Sequence, residues 1–342
     1  MKISPLPFQI PLLFTTQAAN IFLKTIYQFP EPVHIENIHI ENIHTRENGQ
    51  LLLSTFANGT LFTIDPTVPN ASATPIITLS HEPGYALTGI ASLGNNQYAI
   101  SGGIHSPTAF SFQNNSMNIH VISLPAGAAD DAHPSAGALL ATIPIANPHA
   151  QLLNGMAALP ASPWIILSAE SLCGCIYRID TRTHDHDIVF SSAEFASMDP
   201  AMPMGINGLR IRGSWLYFTN SGRGIFGRVE IDGRGERVGD VEVVASLRDM
   251  VGAGVGVGAG AEEFYDDFTL DGRGNAYVAL HPHSVVRIAP DGGQVVVVGG
   301  GNSTFLLEPT ALSTSRDGKS VYVVTGGAKM GSKGGQVIQI LI

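Results

Sequence analysis

Short apolar runs recur along the chain, each cut off by Gly, Asn or Asp. In Asp266-Asp267-Phe268-Thr269-Leu270-Asp271-Gly272-Arg273-Gly274-Asn275-Ala276-Tyr277-Val278-Ala279-Leu280, an apolar segment meets a tight turn and then a second segment rich in β-formers. Val285-Val286-Arg287-Ile288 follows after His281-Pro282-His283, and Gln294 to Val298 follows the turn at Asp291-Gly292-Gly293. Four short strands joined by tight turns predict one antiparallel sheet, the blade of a propeller.

The same phrase returns five more times. Glu41-Asn42-Ile43 precedes Asn48-Gly49-Gln50-Leu51-Leu52-Leu53, and Thr88-Gly89-Ile90 precedes Asn95-Asn96-Gln97-Tyr98-Ala99-Ile100. Asn154-Gly155-Met156 leads to Trp164-Ile165-Ile166-Leu167, and Asn207-Gly208-Leu209 leads to Trp215-Leu216-Tyr217-Phe218. Pro309-Thr310-Ala311 opens the last unit, ahead of Asp317-Gly318-Lys319-Ser320-Val321-Tyr322. The spacing drifts around the length of a propeller blade. An all-β fold follows: a single six-bladed β-propeller over 21–342. The final unit, ending at Gln336-Val337-Ile338-Gln339-Ile340-Leu341, is one strand short. The apolar run Ile21 to Phe29 is expected to supply that strand and close the ring, leaving no open edge.

Composition narrows the function. Charged residues make up only 13% of the chain and hydrophobic ones 44%, which suits buried sheet with short turns. A net charge of −10 without a Lys/Arg cluster argues against nucleic acid as partner. No run reaches membrane-spanning length. Residues 1–20 form a separate N-terminal segment: Lys2, an apolar stretch and then Thr16-Gln17-Ala18 have the order of a signal peptide, but Pro5, Pro7 and Pro11 interrupt it. Secretion and a cytoplasmic location both stay open, and the glycosylation sequons at Asn58, Asn70, Asn114 and Asn302 do not decide between them. The two cysteines, in Cys173-Gly174-Cys175, are spaced too closely for an ordinary disulfide and are too few for a structural zinc site. They are expected to be small residues at a strand turn. The Gly/Ala/Val run from Val251 to Ala261 is expected to be an insertion loop.

Strand order predicts which face carries chemistry. The opening residues of each inner strand reach one rim of the channel, and the turn after each second strand returns to it. Glu41, Asn154, Asn207, Asp266, Asp267 and Glu308 belong to the first set. Phe56-Ala57-Asn58, His105, Glu170-Ser171, Asn220-Ser221, His281-Pro282-His283 and Lys329 belong to the second. The opposite rim receives the Asn-Gly and Asp-Gly turns. Carboxylates and carboxamides at the inner ends of separate blades have the ligand chemistry of a hard divalent cation such as calcium. The competing reading is that these side chains only start strands, by accepting backbone hydrogen bonds.

The Asn207-Gly208-Leu209 unit, the Asp266-Asp267-Phe268 unit and the early Glu41 resemble the gluconolactonase/regucalcin family of six-bladed propellers, over essentially the whole chain. That resemblance implies a divalent metal at the channel mouth held by Glu41, Asn207 and Asp266, with Asn154 as the fourth ligand. Asn154 departs from the family pattern, in which the Asn precedes an Asp-Gly, because here it stands in Leu153-Asn154-Gly155. The phrasing Glu-Asn-Ile before Arg-x-Asn-Gly-Gln-Leu-Leu, and Asp-Asp-Phe before Asn-Ala-Tyr-Val-Ala, is similar to a fungal branch found beside natural-product biosynthetic genes. That branch includes hetero-Diels–Alderases.

The resemblance implies a non-redox enzyme of secondary metabolism that joins or cyclises an apolar small molecule at the mouth and needs no cofactor. His281, Asn220 and Asp266 are its expected catalytic groups. Phe56, His105, Met156, Glu170, Phe264, Tyr265, Asp267 and His283 are expected to bind substrate. A second reading is a divalent-metal-dependent lactonase or esterase, using Ca2+ or another divalent cation, with Asp266 or Asp267 as base toward water. A third is a propeller that binds small molecules without turnover. Neither a dinucleotide fingerprint in a strand–turn–helix setting nor a Gly-x-Ser-x-Gly elbow is present.

Overall fold

The computed structural model describes residues 22–30, 40–46, 48–56, 58–106, 112–125, 137–250, 263–300, 303–327 and 333–342, without the side chains of 40–43 and 45. The N-terminal segment 1–20, Ala57, the Gly-rich run 251–261, Asn302 and Lys329 therefore lie outside the described residues.

The strands form six four-stranded antiparallel sheets. Blades 1 to 5 run in chain order from inner to outer strand. Their inner strands are Ile40–Thr45, Tyr85–Gly94, Leu153–Leu159, Ile206–Arg212 and Tyr265–Leu270, and Pro309–Thr314 is the inner strand of blade 6. Each inner strand packs beside those of both neighbouring blades, the sixth against the first, so the sheets close a ring. Among the described residues the helical structure is one 3-10 turn, Leu247–Met250, and no helix is long and apolar enough to cross a membrane.

The middle strands explain the continuous apolar runs. Leu51–Thr55, Ala276–Leu280 and Ser320–Thr325 are buried along their whole length, because neighbouring blades cover both faces of each sheet. Each fully buried Leu or Val there stabilises the ring by roughly 1.5–3 kcal/mol. At the opposite rim, aspartates fold the turns: Asp271 Oδ1 accepts the N–H groups of Arg273 (2.8 Å) and Asn275 (2.9 Å). Asp232 does the same for Arg234 and Glu236.

Every inner strand loses register with its partner near its start. Pairing skips from Leu87 to Ile90, Leu153 to Met156, Ile206 to Leu209 and Tyr265 to Phe268. It skips from Ile40 to Asn42 in blade 1 and from Pro309 to Ala311 in blade 6. The bulged residues are Thr88-Gly89, Asn154-Gly155, Asn207-Gly208, Asp266-Asp267, Glu41 and Thr310. A bulge re-aims side chains out of the pleat. Three bulges need glycine, because the next blade stands too close for a Cβ. At Gly89 it would strike the Asn154 carbonyl, at Gly155 the Asn207 carbonyl and at Gly208 the Asp267 carboxylate. Hydrogen bonds bind the same steps: Thr88 Oγ1 donates to the Leu153 carbonyl (2.6 Å) and Ser221 Oγ to the Tyr265 carbonyl (2.7 Å).

Ring closure follows the expected route. Leu23–Gln28 is the outer strand of blade 6, with Leu23 opposite Ile340 and Gln28 opposite Gln336. Ile26 and Phe29 are buried, and Phe29 packs edge-on against Phe62 of blade 1 at 5.4 Å. The first described residues thus tie blade 6 to blade 1.

The cysteines correct one expectation. Cys173 and Cys175 are joined in a disulfide, although their spacing in sequence is short. The turn folds the chain back at Gly174 (φ +67°) and brings the two Cα atoms to 5.6 Å, within disulfide range.

Two outcomes test this architecture. Deleting residues through Phe29 removes the burial of Ile26 and Phe29, roughly 3–6 kcal/mol, and opens an edge. Thermal denaturation should show a large loss of Tm or of cooperativity, and a truncation that melts like the intact chain would contradict closure by this strand. Gly155→Ala should cost about 2 kcal/mol or more through overpacking. Gly233→Ala, with open space around its Cβ, should change stability little. Equal Tm values for the two variants would show that the glycine step is not tight.

Candidate functional site

The bulges and the ends of the second strands meet at one mouth. The Ser221 N–H donates to the Gly205 carbonyl, that of His281 to Phe264, and that of Gly326 to Glu308. Each bond lays the end of a second strand against the residue just before, or a step before, its own inner strand. The backbone position of Glu41 falls in the blade 1 bulge, so it opens toward the same mouth as Asp266. The side chain of Glu41 lies outside the described residues.

A chain of polar side chains crosses blades 4, 5 and 6. Asn207 Nδ2 donates to Asp266 Oδ1 (2.7 Å) and to Ser221 Oγ (3.0 Å). Asp266 Oδ2 lies 3.0 Å from His281 Nε2, and His281 Nδ1 lies 2.7 Å from Glu308 Oε2. Phe264 stacks flat on the His281 ring, with centroids 4.2 Å apart and planes at 13°. Glu308 reaches the ring from a left-handed backbone (φ +59°), fixed by bonds to the Pro282 carbonyl and from the Gly326 N–H. Such a conformation costs on the order of 1–3 kcal/mol for a residue other than glycine. Burial opposes a charge on His281. Hydrogen bonds to Asp266 and Glu308, and then their charges, outweigh it and hold the pKa up at about 9.

Beside this chain stands an apolar wall. Phe56, Phe112, Met156 and Met204 belong to one buried cluster, and the half-buried Phe264 packs against it. His105 lies 4.9 Å from the Phe56 ring and 5.4 Å from that of Phe112, and burial lowers its pKa. Asn154, in the blade 3 bulge, is buried to 5% exposure, and its amide makes no hydrogen bond among the described residues. The Asn207 Oδ1 is also buried without a partner.

Other expected site residues are committed to structure. Asn220 Nδ2 donates to the carbonyls of Glu194 (2.8 Å), Phe195 (3.0 Å) and Ala196 (3.2 Å), and its Oδ1 accepts from the Arg223 N–H. It clamps a loop. Glu170 Oε1 accepts from the N–H groups of Gln151 and Leu152, and its Oε2 from that of Cys173. Burial raises the Glu170 pKa against these bonds. Tyr265 is fully buried, and its hydroxyl bonds Gln294. Asp267 pairs with Arg210 at 2.9 Å and accepts the Phe268 N–H at 2.7 Å. Burial pushes its pKa up, against the Arg210 charge. His283 Nδ1 bonds the Leu306 carbonyl. His281 stands at the mouth, but both of its ring nitrogens are already engaged.

The sequence passed over Phe112, Met204 and Arg210. Arg210 lies three residues beyond Asn207 on the same inner strand, a position the repeat could have flagged. Phe112 follows a stretch without repeat signal.

The cation implied by the gluconolactonase/regucalcin resemblance can be tested against these donors. A calcium site needs several oxygens turned toward one centre at about 2.3–2.6 Å. Here Asn207 turns its nitrogen, not its oxygen, to Asp266, and the other Asp266 oxygen is held by His281. Asn207 Oδ1 has no partner, but both oxygens of Asp266 are engaged, so the described donors offer no uncommitted carboxylate and do not fit a resident divalent cation.

No family model matches the chain. A curated protein of Sarocladium schorii, named "Putative hetero-Diels-Alderase asR5", is 27% identical over 207 residues, covering 52% of this chain. The match spans 49% of that protein, about half its length. Among solved structures, a gluconolactonase from Xanthomonas campestris superposes with a TM-score of 0.58 at 12% identity, covering 95% of this chain and 90% of its own. A calcium-binding regucalcin from Agrobacterium tumefaciens gives 0.53 at 14% identity, covering 93% and 95%. These likenesses establish the six-bladed propeller fold.

The pH dependence of stability follows from His281. A pKa raised from 6.5 to about 9 corresponds to about 3 kcal/mol at roughly 1.4 kcal/mol per unit. The folded pKa lies above the unfolded one, so this stability is complete below pH 6.5 and is lost as pH rises through about 9. Tm should fall across that window, and His281→Gln should flatten the fall. An unchanged slope in the variant would assign the titration to another group.

Proposed function

We propose that this chain is a non-redox cyclisation enzyme of the hetero-Diels–Alderase kind, acting on an apolar small molecule at the propeller mouth. The observation that carries this reading is Asn154 in the blade 3 bulge, two residues before Met156 of the apolar cluster that Phe56, Phe112 and Phe264 share, with its amide bonded to no described residue. The partial similarity to the Sarocladium protein supports the same chemistry.

The reaction asks for little else. An oxygen-containing heterodiene and an alkene close a six-membered ring: one C–C and one C–O bond form, and three π bonds become one. No proton or electron leaves, so neither base nor oxidant is required. Flat apolar side chains can hold the two partners face to face, and orientation alone lowers such barriers substantially. An amide N–H placed on the heterodiene oxygen stabilises the negative charge that grows there. Asn154 is the group assigned that role, in place of Asn220 and His281, whose donors are occupied.

Lactone hydrolysis is the less favoured alternative, because its two candidate bases are engaged. Asp266 is tied to Asn207 and His281, and Asp267 to Arg210 and the Phe268 N–H. Incubation with an ortho-quinone-methide-type heterodiene and an electron-rich alkene, beside a lactone panel, tests the choice. Enantioselective cycloadduct should form, and Asn154→Ala should slow it on the order of 100-fold. Phe264→Ala should erode stereoselectivity. Calcium-dependent lactone turnover without cycloadduct would replace this reading, and affinity without turnover would leave a binding propeller.

A further inference from the structure

The polar chain at the mouth has a feature that the cyclisation reading neither uses nor requires. His281 stands between two carboxylates, with Nε2 3.0 Å from Asp266 Oδ2 and Nδ1 2.7 Å from Glu308 Oε2. A neutral imidazole carries one N–H, whereas two carboxylate oxygens on opposite nitrogens call for two. The arrangement is therefore an imidazolium bridging two acids. Its ring is buried and lies flat against Phe264, the geometry of a cation over an aromatic face.

We propose that His281 is the built-in counter-charge of the mouth, standing where similar propellers are expected to carry a divalent cation, and that this chain folds and works without a metal among Glu41, Asn154, Asn207 and Asp266. Two observations converge on this. The Asn207 amide is rotated so that its nitrogen faces Asp266, the orientation of a hydrogen-bonded pair and not of two ligands sharing an ion. The remaining Asp266 oxygen already faces a cation, and a second one in coordination range would lie against it. The carboxylates of Asp266 and Glu308 come from different blades, so the imidazolium also fastens blade 5 to blade 6 from inside the ring.

Removing the histidine should create a metal response. In His281→Ala, Asp266 and Glu308 would face each other across a vacated gap, without the imidazolium between their like charges. The full chain, His281→Ala and His281→Gln are compared by thermal denaturation in EDTA and in millimolar calcium, with metal content measured by elemental analysis. The wild-type Tm should be the same in both buffers, with no stoichiometric metal. His281→Ala should melt several degrees lower in EDTA and recover part of that loss with calcium. His281→Gln, which keeps an uncharged amide NH2 for the acids, should fall between and serves if the alanine variant does not fold. A wild-type Tm that drops in EDTA and returns with calcium would overturn the proposal. So would a His281→Gln protein as stable as wild type in EDTA. None of these readings depends on cycloadduct formation, so failure here and failure of the cyclisation reading remain distinct.

Discussion

The close approach of successive inner strands is the constraint on which the rest of this molecule depends. Six blades can surround a narrow channel only if each inner strand lies against the next without a side chain between them at the crossing. The Thr-Gly, Asn-Gly and Asn-Gly bulges at Thr88, Asn154 and Asn207 meet that demand, because a Cβ at any of the three glycines would strike the following blade. The same bulges release the residue before the glycine from the pleat. Packing necessity and site construction are therefore one event. The fold places a ring of polar side chains at the mouth because it must bulge there to close.

A ring of polar groups so close to a buried channel sets an electrostatic problem. Asp266 and Asp267 are adjacent in sequence and both nearly buried, and an isolated buried carboxylate is costly. The structure solves the two separately. Asp267 turns inward to Arg210, which also donates to the Leu209 carbonyl and lies within reach of Leu312 in blade 6. Asp266 turns toward the mouth, to Asn207 and His281. Each acid acquires a cation from a different strand, so neither is left as a free base. The polar side of the mouth is thereby a frame of paired groups in which three acids share two cations.

How far this was legible in the sequence depends on whether a feature repeats. The blades, their inner strands and the closing strand were readable because apolar runs and turn residues recur with the blade period. The bulge positions of 154, 207 and 266 at the starts of successive inner strands were expected from strand order alone. Individual roles were not readable, because they depend on what the opposite side chain does. Asn220 has the right chemistry and place for a donor, yet three carbonyls of a loop far from it in sequence absorb its N–H groups. Tyr265 neighbours a site residue, but strand alternation sends it into the core between blades. The cysteine pair was misjudged from spacing because a left-handed glycine shortens the path between them.

Position in the bulge ring thus fixes where a side chain points, and the partner on the neighbouring blade fixes what it can do. Around this ring the bulges hold Glu41, Thr88, Asn154, Asn207, Asp266 and Thr310. A cation site at such places would need several of their oxygens turned toward one centre. Here a histidine after the second strand of blade 5 and a glutamate before the inner strand of blade 6 engage the second oxygen of Asp266. The histidine supplies the charge, the glutamate holds it, and Phe264 covers it. One turn and one left-handed residue are thus enough to join acids of two blades through a single ring.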